Sequence, residues 1–343
     1  MAWIYKMLAI IAVIAAVIAT CLVVSWVYRF RRRFRHDGVR RVVLVTGAAS
    51  GIGRALCELL LAKGDCVVAL DISQEGLRSL EAWATAISVQ TRLTCVACDV
   101  SSAASVDKAV KAVGEWCASV VSEYGGVHSI VHTAGIFACG PLVEQLTAAD
   151  ISAALAVNVM GVVHVTRAFF SAMRHDDCGA LPRILLVASE LSAARMSVAL
   201  TAPYAMSKFC VEAYAIALRQ ELAVLSPPTH VCVVRPGPVH TPLTDEATAR
   251  RARAHAELSP RWRANLMELV DTAAQYSRLR GIAPAAAASP MYDACHAVTP
   301  PRHLHINYTL EMRLAACMPQ WVLDATISQK MRRAQRRFAE GAS

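Results

Sequence analysis

Residues 41–53 read Arg-Val-Val-Leu-Val-Thr-Gly-Ala-Ala-Ser-Gly-Ile-Gly, and this stretch constrains the chain more than any other. A continuous apolar run without polar alternation is the pattern of a strand covered on both faces, hence of a parallel sheet. A helix is predicted next, from about residue 52 to 63, with Gly64 at its end. The same rhythm then repeats. Strands are expected at 66–70, 93–98, 127–132, 184–188 and 231–235, and helices at 74–87, 102–123, 149–173 and 203–225. This alternation predicts an α/β doubly wound parallel sheet with right-handed crossovers. Residues 242–300 are rich in Ala, Arg and Pro, include Pro284-Ala-Ala-Ala-Ala-Ser-Pro290, and read as an inserted helical segment plus a loop. A last short strand is expected at 304–306, before C-terminal helices.

A chain of 343 residues suits one large α/β domain or two small ones. Its composition, 55% hydrophobic and 18% charged, excludes a disordered chain, collagen and a disulfide mini-protein. A mean hydropathy of +0.40 further suggests that part of it sits in lipid. Met7 to Tyr28 carries no charge. As a helix rising about 1.5 Å per residue, it would cross a hydrocarbon core about 30 Å thick. Trp3 and Tyr5 lie at one end, Trp26 and Tyr28 at the other, as at two interfaces. The run ends in Trp-Val-Tyr-Arg rather than a small-residue cleavage site, so an uncleaved anchor over 1–28 is expected. The linker 29–41 holds seven Arg and one Asp, which puts the following domain in the cytosol. The expected organisation is anchor, basic linker 29–41, α/β domain 42–310 with 242–300 as a substrate loop, and a helical basic tail 311–343.

The formal charge is +9, yet 29–41 alone carries +6 and 330–337 carries +5, leaving −2 for the remainder. Basicity confined to the ends suits anionic headgroups beside an anchor, not a nucleic-acid stripe. Twelve scattered Cys fit a reducing compartment. Cys95 and Cys98 form a lone C-x-x-C without a second pair and read as core thiols. His128, His132 and His164 read as structural or surface residues, so no metal site is expected. Asn307-Tyr308-Thr309 is the one N-glycosylation sequon, a topology probe usable only in a lumenal domain.

The first strand–helix turn, Thr46 to Gly53, carries glycines at 47, 51 and 53. Such spacing permits a tight turn, close approach of backbone to a pyrophosphate, and close helix–sheet packing. The helix N-terminus at Ser50, Gly51, Ile52 and Gly53 would offer free N–H groups to phosphate. Asp71, 18 residues after Gly53 at the end of the second strand, can accept from both hydroxyls of an adenosine ribose. It would repel a 2′-phosphate, and residues 72–74 supply no Arg, so NAD is expected over NADP. The plainer reading of Asp71 is a turn residue or helix cap.

T-G-x-x-x-G-x-G at Thr46 to Gly53, together with Y-x-x-x-K at Tyr204 to Lys208, resembles the short-chain dehydrogenase/reductase family, over roughly residues 40–240. The resemblance implies a single-domain Rossmann fold. It implies that Asp99 and Val100 flank the adenine and that Ala134 and Gly135 let backbone approach the cofactor. By the same resemblance Asn158 joins the active site, and Pro236, Gly237 and Thr241 lie against the nicotinamide. Where the family has Asn-Asn-Ala-Gly, this chain has His132-Thr133-Ala134-Gly135, so the Asn interactions would be lost. The segment Ser207-Lys208-Phe209-Cys210-Val211-Glu212-Ala213 and the anchor look most like the membrane-bound retinol and hydroxysteroid dehydrogenases. That likeness implies a lipophilic substrate, the endoplasmic reticulum or lipid droplets, and, by resemblance alone, a homodimer through the helix carrying Tyr204.

Tyr204 and Lys208 are four residues apart and share a helical face. A phenol near pKa 10 is a poor base, and a neighbouring ammonium is expected to lower that value. Tyr204 would then move the alcohol proton. Ser189, or Ser192 in its place, would bond the substrate oxygen. By the resemblance, Lys208 would also hold the nicotinamide ribose and Asn158 would link it to a water chain. In isolation Tyr204 and Lys208 would be an ordinary exposed helix pair. A catalytically silent, membrane-anchored nucleotide-binding scaffold is the alternative, resting on the altered His132-Thr133 segment. Trp262 and Met267 could line a pocket or simply pack.

Overall fold

β1 (Val42–Thr46) is the centre from which the molecule is built. Its side chains alternate between two cores: Val42 and Leu44 enter one, Val43 and Val45 the other, and all four are fully buried. A strand with both faces covered needs helices on both sides of its sheet. The computed structural model supplies them and describes residues 39–120, 126–142, 144–173, 181–193, 196–225, 228–243 and 258–341. The expected anchor and nearly all of the basic linker lie outside the described residues.

The remaining strands are β2 (Cys66–Asp71), β3 (Leu93–Ala97), β4 (Ser129–His132), β5 (Arg183–Val187), β6 (His230–Pro236) and β7 (His303–Ile306). All pair in parallel, in the order β3-β2-β1-β4-β5-β6-β7. The strand order reverses between β1 and β4. In doubly wound sheets that reversal opens a crevice at the carboxyl ends of the strands. One core lies under α3 (Ala103–Val120), α5 (Gly161–Phe170) and α7 (Ala202–Leu222). The other lies under α1 (Gly51–Lys63), α2 (Gln74–Ala86) and α9 (Pro284–His296).

The expected helix over 149–173 is interrupted. α4 (Ala148–Leu155), opened by a capping box of Thr147 and Asp150, runs into a π turn at Ala156–Met160 before α5. Such bulges occur frequently at functional sites, and this one carries Asn158. Among the described residues this helical run with its π turn, Ala148–Phe170, is long and apolar enough by composition to cross a membrane. Val162, Val165 and Phe169 spend its apolar face in the sheet's core.

Within 242–300, expected to hold a helical segment plus a loop, the Ala/Pro-rich stretch opens α9, with Pro284 in its first turn. Ala287, Ala288, Met291, Ala294 and Cys295 are buried against α1 and the sheet. Small side chains let two helices approach closely, so alanine here is packing rather than punctuation. Ahead of α9 lies α8 (Pro260–Arg280); after β7 come α10 (Leu310–Cys317) and α11 (Gln320–Gly341). The C-terminus of α9 is fastened by buried arginines. Arg41 donates to the Cys295 carbonyl at 3.1 Å, and Arg183 to the carbonyls of Cys295 and, at 2.6 Å, Ala297. Asp65 accepts from the Arg41 backbone and bonds His296 at 3.0 and 3.1 Å. Arg41 is only 1% exposed, so it belongs to the fold and not, as its place in sequence suggested, to a basic surface.

Candidate active site

The turn after β1 is shaped by what cannot fit in it. Gly47 has φ +68°, and a Cβ there would lie 2.8 Å from the backbone of Ala134. A Cβ on Gly53 would collide with the Gly47 carbonyl and the Thr133 hydroxyl. Both glycines are therefore demanded by space. The first intrahelical bond of α1 runs from Arg54 N–H to the Ser50 carbonyl at 3.0 Å. The N–H groups of Gly51, Ile52 and Gly53 thus precede the helical ladder, and Ser50 makes no side-chain cap. The N–H groups of this glycine cradle are the donors a pyrophosphate would need.

Neighbouring polar groups are held ready. Asp71, closing β2, accepts from the backbone N–H of Ala49 at 2.9 Å and of Ser73 at 2.8 Å. It therefore also serves the turn it was read against, while standing beside the cradle. Asp99 accepts from the backbone and hydroxyl of Ser101 at 2.9 and 2.7 Å. Val100 is buried against Gly161, and His164 bonds the Val100 carbonyl at 3.1 Å. Thr133 donates to the Thr46 carbonyl, and Ala134 N–H to the Thr46 hydroxyl at 3.2 Å. These bonds join the ends of β1 and β4, so the departure at His132-Thr133 leaves the strand ends tied. His132 is buried, bonded to Thr166 at 3.0 Å, and burial pushes its pKa down to about 3, so it is neutral.

Beyond β4 the second group of predicted residues converges. A Cβ on Gly135 would lie 3.3 Å from Asn158 Oδ1 and 3.7 Å from Lys208 Nζ. Asn158, 1% exposed, accepts from Ile136 N–H at 2.8 Å and donates to the Ile136 carbonyl and the Ser207 hydroxyl, each at 2.9 Å. Lys208 donates to the Val187 carbonyl at 2.9 Å, with Nζ 5.6 Å from the Tyr204 ring centroid. Ser189 stands beside the Tyr204 phenol and lowers its pKa, while Ser192 donates to the Ser189 carbonyl at 2.7 Å and to Glu212 at 3.0 Å. Of the two serines it is thus Ser189 that meets the phenol. Glu212 in turn receives both forks of Arg235 at 2.7 and 2.8 Å. Thr241 places its methyl 3.1 Å from where a Cβ on Gly51 would sit, which brings the Pro236–Gly237 segment across to the cradle.

One electrostatic expectation is overturned. Burial pushes the Tyr204 phenol up to about 12, against the neighbouring Ser189 hydroxyl that lowers it, and Lys208 does not reverse this. Burial also brings Lys208 down to about 8, so it remains mostly protonated at neutral pH. Desolvation outweighs the ammonium because both groups lie in the same poorly solvated layer.

The glycosylation sequon is also not the probe it seemed. Asn307 has φ +52° and donates to the carbonyls of Pro238 at 2.9 Å and Arg280 at 2.6 Å. Its amide is already part of the fold, so its glycan status does not report topology.

Sequence reasoning passed over two residues at this centre. Phe137 packs on the Tyr204 ring with centroids 4.6 Å apart. Glu190, directly after Ser189, is 7% exposed. Their signals were modest: an aromatic just past Ala134-Gly135, and a carboxylate at the mouth of a buried strand. Trp262 packs with Leu200 and Leu258 in a small separate cluster.

The profile of the family described as short chain dehydrogenase matches residues 41–252. The chain is 32% identical over 166 residues to a chanoclavine-I dehydrogenase from Arthroderma otae, covering 46% of this chain and 60% of that protein. It is 35% identical over 178 residues to a D-threitol dehydrogenase from Mycolicibacterium smegmatis, covering 52% and 62%. A 3beta-hydroxysteroid dehydrogenase from Caenorhabditis elegans is 30% identical over 228 residues, covering 65% and 56%. These matches span about 60% of the relatives' own lengths. Among solved structures, a short chain dehydrogenase/reductase from Burkholderia phymatum in complex with NAD superposes with a TM-score of 0.67 at 22% identity, over 85% of this chain and 97% of that one. That likeness concerns the fold. Because the matched region takes in the glycine cradle, the Ser189–Tyr204–Lys208 centre and the strands that position them, the chain belongs to the short-chain dehydrogenase/reductase family.

Proposed function

We propose that this protein is a nicotinamide-dependent oxidoreductase that interconverts an alcohol and its carbonyl on a lipophilic substrate. The observation that carries the reading is the convergence of Ser189, Tyr204 and Lys208 beside a glycine cradle at the carboxyl ends of β1, β4 and β5. Gly47, Ser50, Gly51, Ile52 and Gly53 would hold the pyrophosphate, Asp71 the adenosine ribose, and Asp99 and Val100 the adenine side. Ala134, Gly135, Lys208, Pro236, Gly237 and Thr241 would border the nicotinamide end. Asp71, without an adjacent cation at 72–74, favours NAD over NADP. When bound, the cofactor supplies or accepts the hydride.

The chain's own residues do the rest. Ser189 donates to the substrate oxygen as negative charge develops on it. Tyr204 gives its proton to that oxygen in reduction, or takes it in oxidation. With its pKa raised to about 12 the phenol is protonated at neutral pH in the ligand-free site. Lys208, fixed by the Val187 carbonyl, keeps a positive charge beneath the ring. Asn158 holds the Ile136 backbone and Ser207, which makes it a positioning residue for the helix carrying Tyr204.

The lipophilic substrate is supported by the sequence of the N-terminal 28 residues and by the relative named as a 3beta-hydroxysteroid dehydrogenase. The same sequence supports a single-pass protein with its domain in the cytosol, on the endoplasmic reticulum or lipid droplets. A homodimer through α7 remains part of this proposal, since Met206, Phe209 and Ile216 are exposed on that helix. The test is a screen of lipophilic alcohols and ketones with full-length protein, following the absorbance of the reduced nicotinamide. Substrate-dependent change that vanishes in Tyr204→Phe is expected. Tight NAD(H) binding with no turnover across the panel would favour the silent scaffold instead.

A further inference from the structure

Two buried carboxyl oxygens near the sheet lack a hydrogen-bond partner among the described residues, Asp65 Oδ2 at the start of β2 and Glu190 Oε2 beside the candidate active site. Asp65, Asp71, Asp99 and Glu212 each accept at least two hydrogen bonds. Glu190 opens the short helix α6 (Glu190–Ala193), is more than nine-tenths buried, and its Oε2 has no hydrogen-bond partner among the described residues. That oxygen lies against the Pro236–Gly237 turn, where a Cβ on Gly237 would be 2.8 Å away. The titratable groups that sense it come from three directions: Tyr204 on α7, Tyr276 on α8 and Tyr308 ahead of α10. None is a cation, and no described Lys, Arg or His forms an ion pair with it. Burial accordingly pushes its pKa up to about 7.

An unpaired buried carboxyl is costly, and native folds retain one where something else satisfies it. Here its neighbours are Ser189 on the chain, Tyr204 within electrostatic reach, and Gly237, which the proposed function puts at the nicotinamide end. We propose that Glu190 is a specificity-determining residue whose carboxyl accepts a hydrogen bond from a hydroxyl or amine that the substrate carries close to the carbon undergoing reaction. This deepens, and rests on, the oxidoreductase reading. The substrate class becomes an amphipathic alcohol, with an apolar body and a second donor beside the reacting group. A substrate lacking that donor leaves the carboxyl unpaired in a dry site, a penalty that sites built around hydrogen bonds convert into selectivity.

The experiment compares long-chain alcohols matched in length: a plain secondary alcohol, a vicinal diol and a vicinal amino alcohol. Full-length wild type, E190Q and E190L are assayed for kcat/KM with NAD and, separately, for calorimetric binding without turnover. Wild type is expected to favour both donor-bearing alcohols by about 10- to 100-fold, the worth of a hydrogen bond to a charged group. E190Q keeps an acceptor oxygen without charge, so it should retain most of the diol preference and lose most of the amine preference. E190L should lose both and gain on the plain alcohol. E190Q, close in shape, keeps the test open if E190L does not fold. Equal preferences in wild type and both variants would overturn the role of Glu190 and leave the oxidoreductase reading standing. A binding preference that E190L abolishes, with no turnover of any alcohol, would sink that reading and leave Glu190 as the recognition residue. Neither turnover nor binding would overturn both.

Discussion

The two halves of the sheet treat their polar groups in opposite ways. In the half built on β1, β2 and β3, the groups at the carboxyl ends of the strands are satisfied: Asp71 takes two backbone N–H groups, Asp99 takes Ser101, and Thr133, just past β4, closes on Thr46, while Asp65 at the opposite end of β2 keeps one oxygen unpaired. In the half built on β5, β6 and β7, burial leaves Glu190 unpaired, raises Tyr204 and depresses Lys208. The first half is shaped before any ligand arrives. The second holds its titratable groups at an electrostatic cost, which on the proposed function a bound reactant relieves. Preorganised phosphate binding needs rigid geometry, whereas proton transfer needs groups whose charge is negotiable.

The sharpest way to break this contrast is Tyr204→Phe. Losing the proton donor should reduce turnover by about 100- to 10,000-fold with cofactor affinity little changed; comparable loss of affinity would mean that the residue serves the first half instead.

Next comes Glu190→Gln, read as stability. The folded pKa of Glu190 is raised from 4.5 to about 7, so the native state holds this proton more tightly than the unfolded chain. The group's contribution is intact below pH 4.5 and declines as pH rises through 7. The variant should therefore match wild type near pH 4.5 and exceed it by up to about 3 kcal/mol at pH 8, because each tenfold difference in proton affinity between the two states is worth about 1.4 kcal/mol. Denaturant melts at both pH values check it, and a pH-independent difference would mean the carboxyl is solvated.

Gly53→Val tests the rigid half. Its side chain would meet the Gly47 carbonyl and Thr133, so a loss of about 1–3 kcal/mol of stability is expected, together with most nucleotide affinity. Unchanged binding in a folded variant would show that the cradle has room the structure denies. Asp71→Ala should shift the ratio of NAD to NADP dissociation constants by about 10- to 100-fold toward NADP. A ratio that stays put would leave Asp71 only its bonds to Ala49 and Ser73.

Much of this was legible in the chain because it depends on local order. The apolar run before Gly47, the glycines at their spacing, and Asp71 at the next strand's end all sit within one strand–helix–strand unit. Tyr204 and Lys208 were legible for the same reason, being one helical turn apart. The helix over 149–173 was legible as a helix but not as an interrupted one, because the π turn at Asn158 answers to Ile136 and Ser207, both distant in sequence. Residues 242–300 were legible as carrying helix, but the packing of residues 284–290 was not, because it depends on α1 lying against them. Glu190 carried little signal because a carboxylate after a strand is ordinary until its surroundings are known to be dry.

Periodicity and glycine placement, which act over a few residues, thus determined the sheet, its crossovers, the glycine turn and the identity of the paired tyrosine and lysine. Solvation was decided only when the chain closed. Whether the lysine could acidify the phenol, which serine met it, whether Arg41 faced lipid or protein, and whether Glu190 found a partner all depended on how much water the assembled elements excluded, a property no short segment possesses.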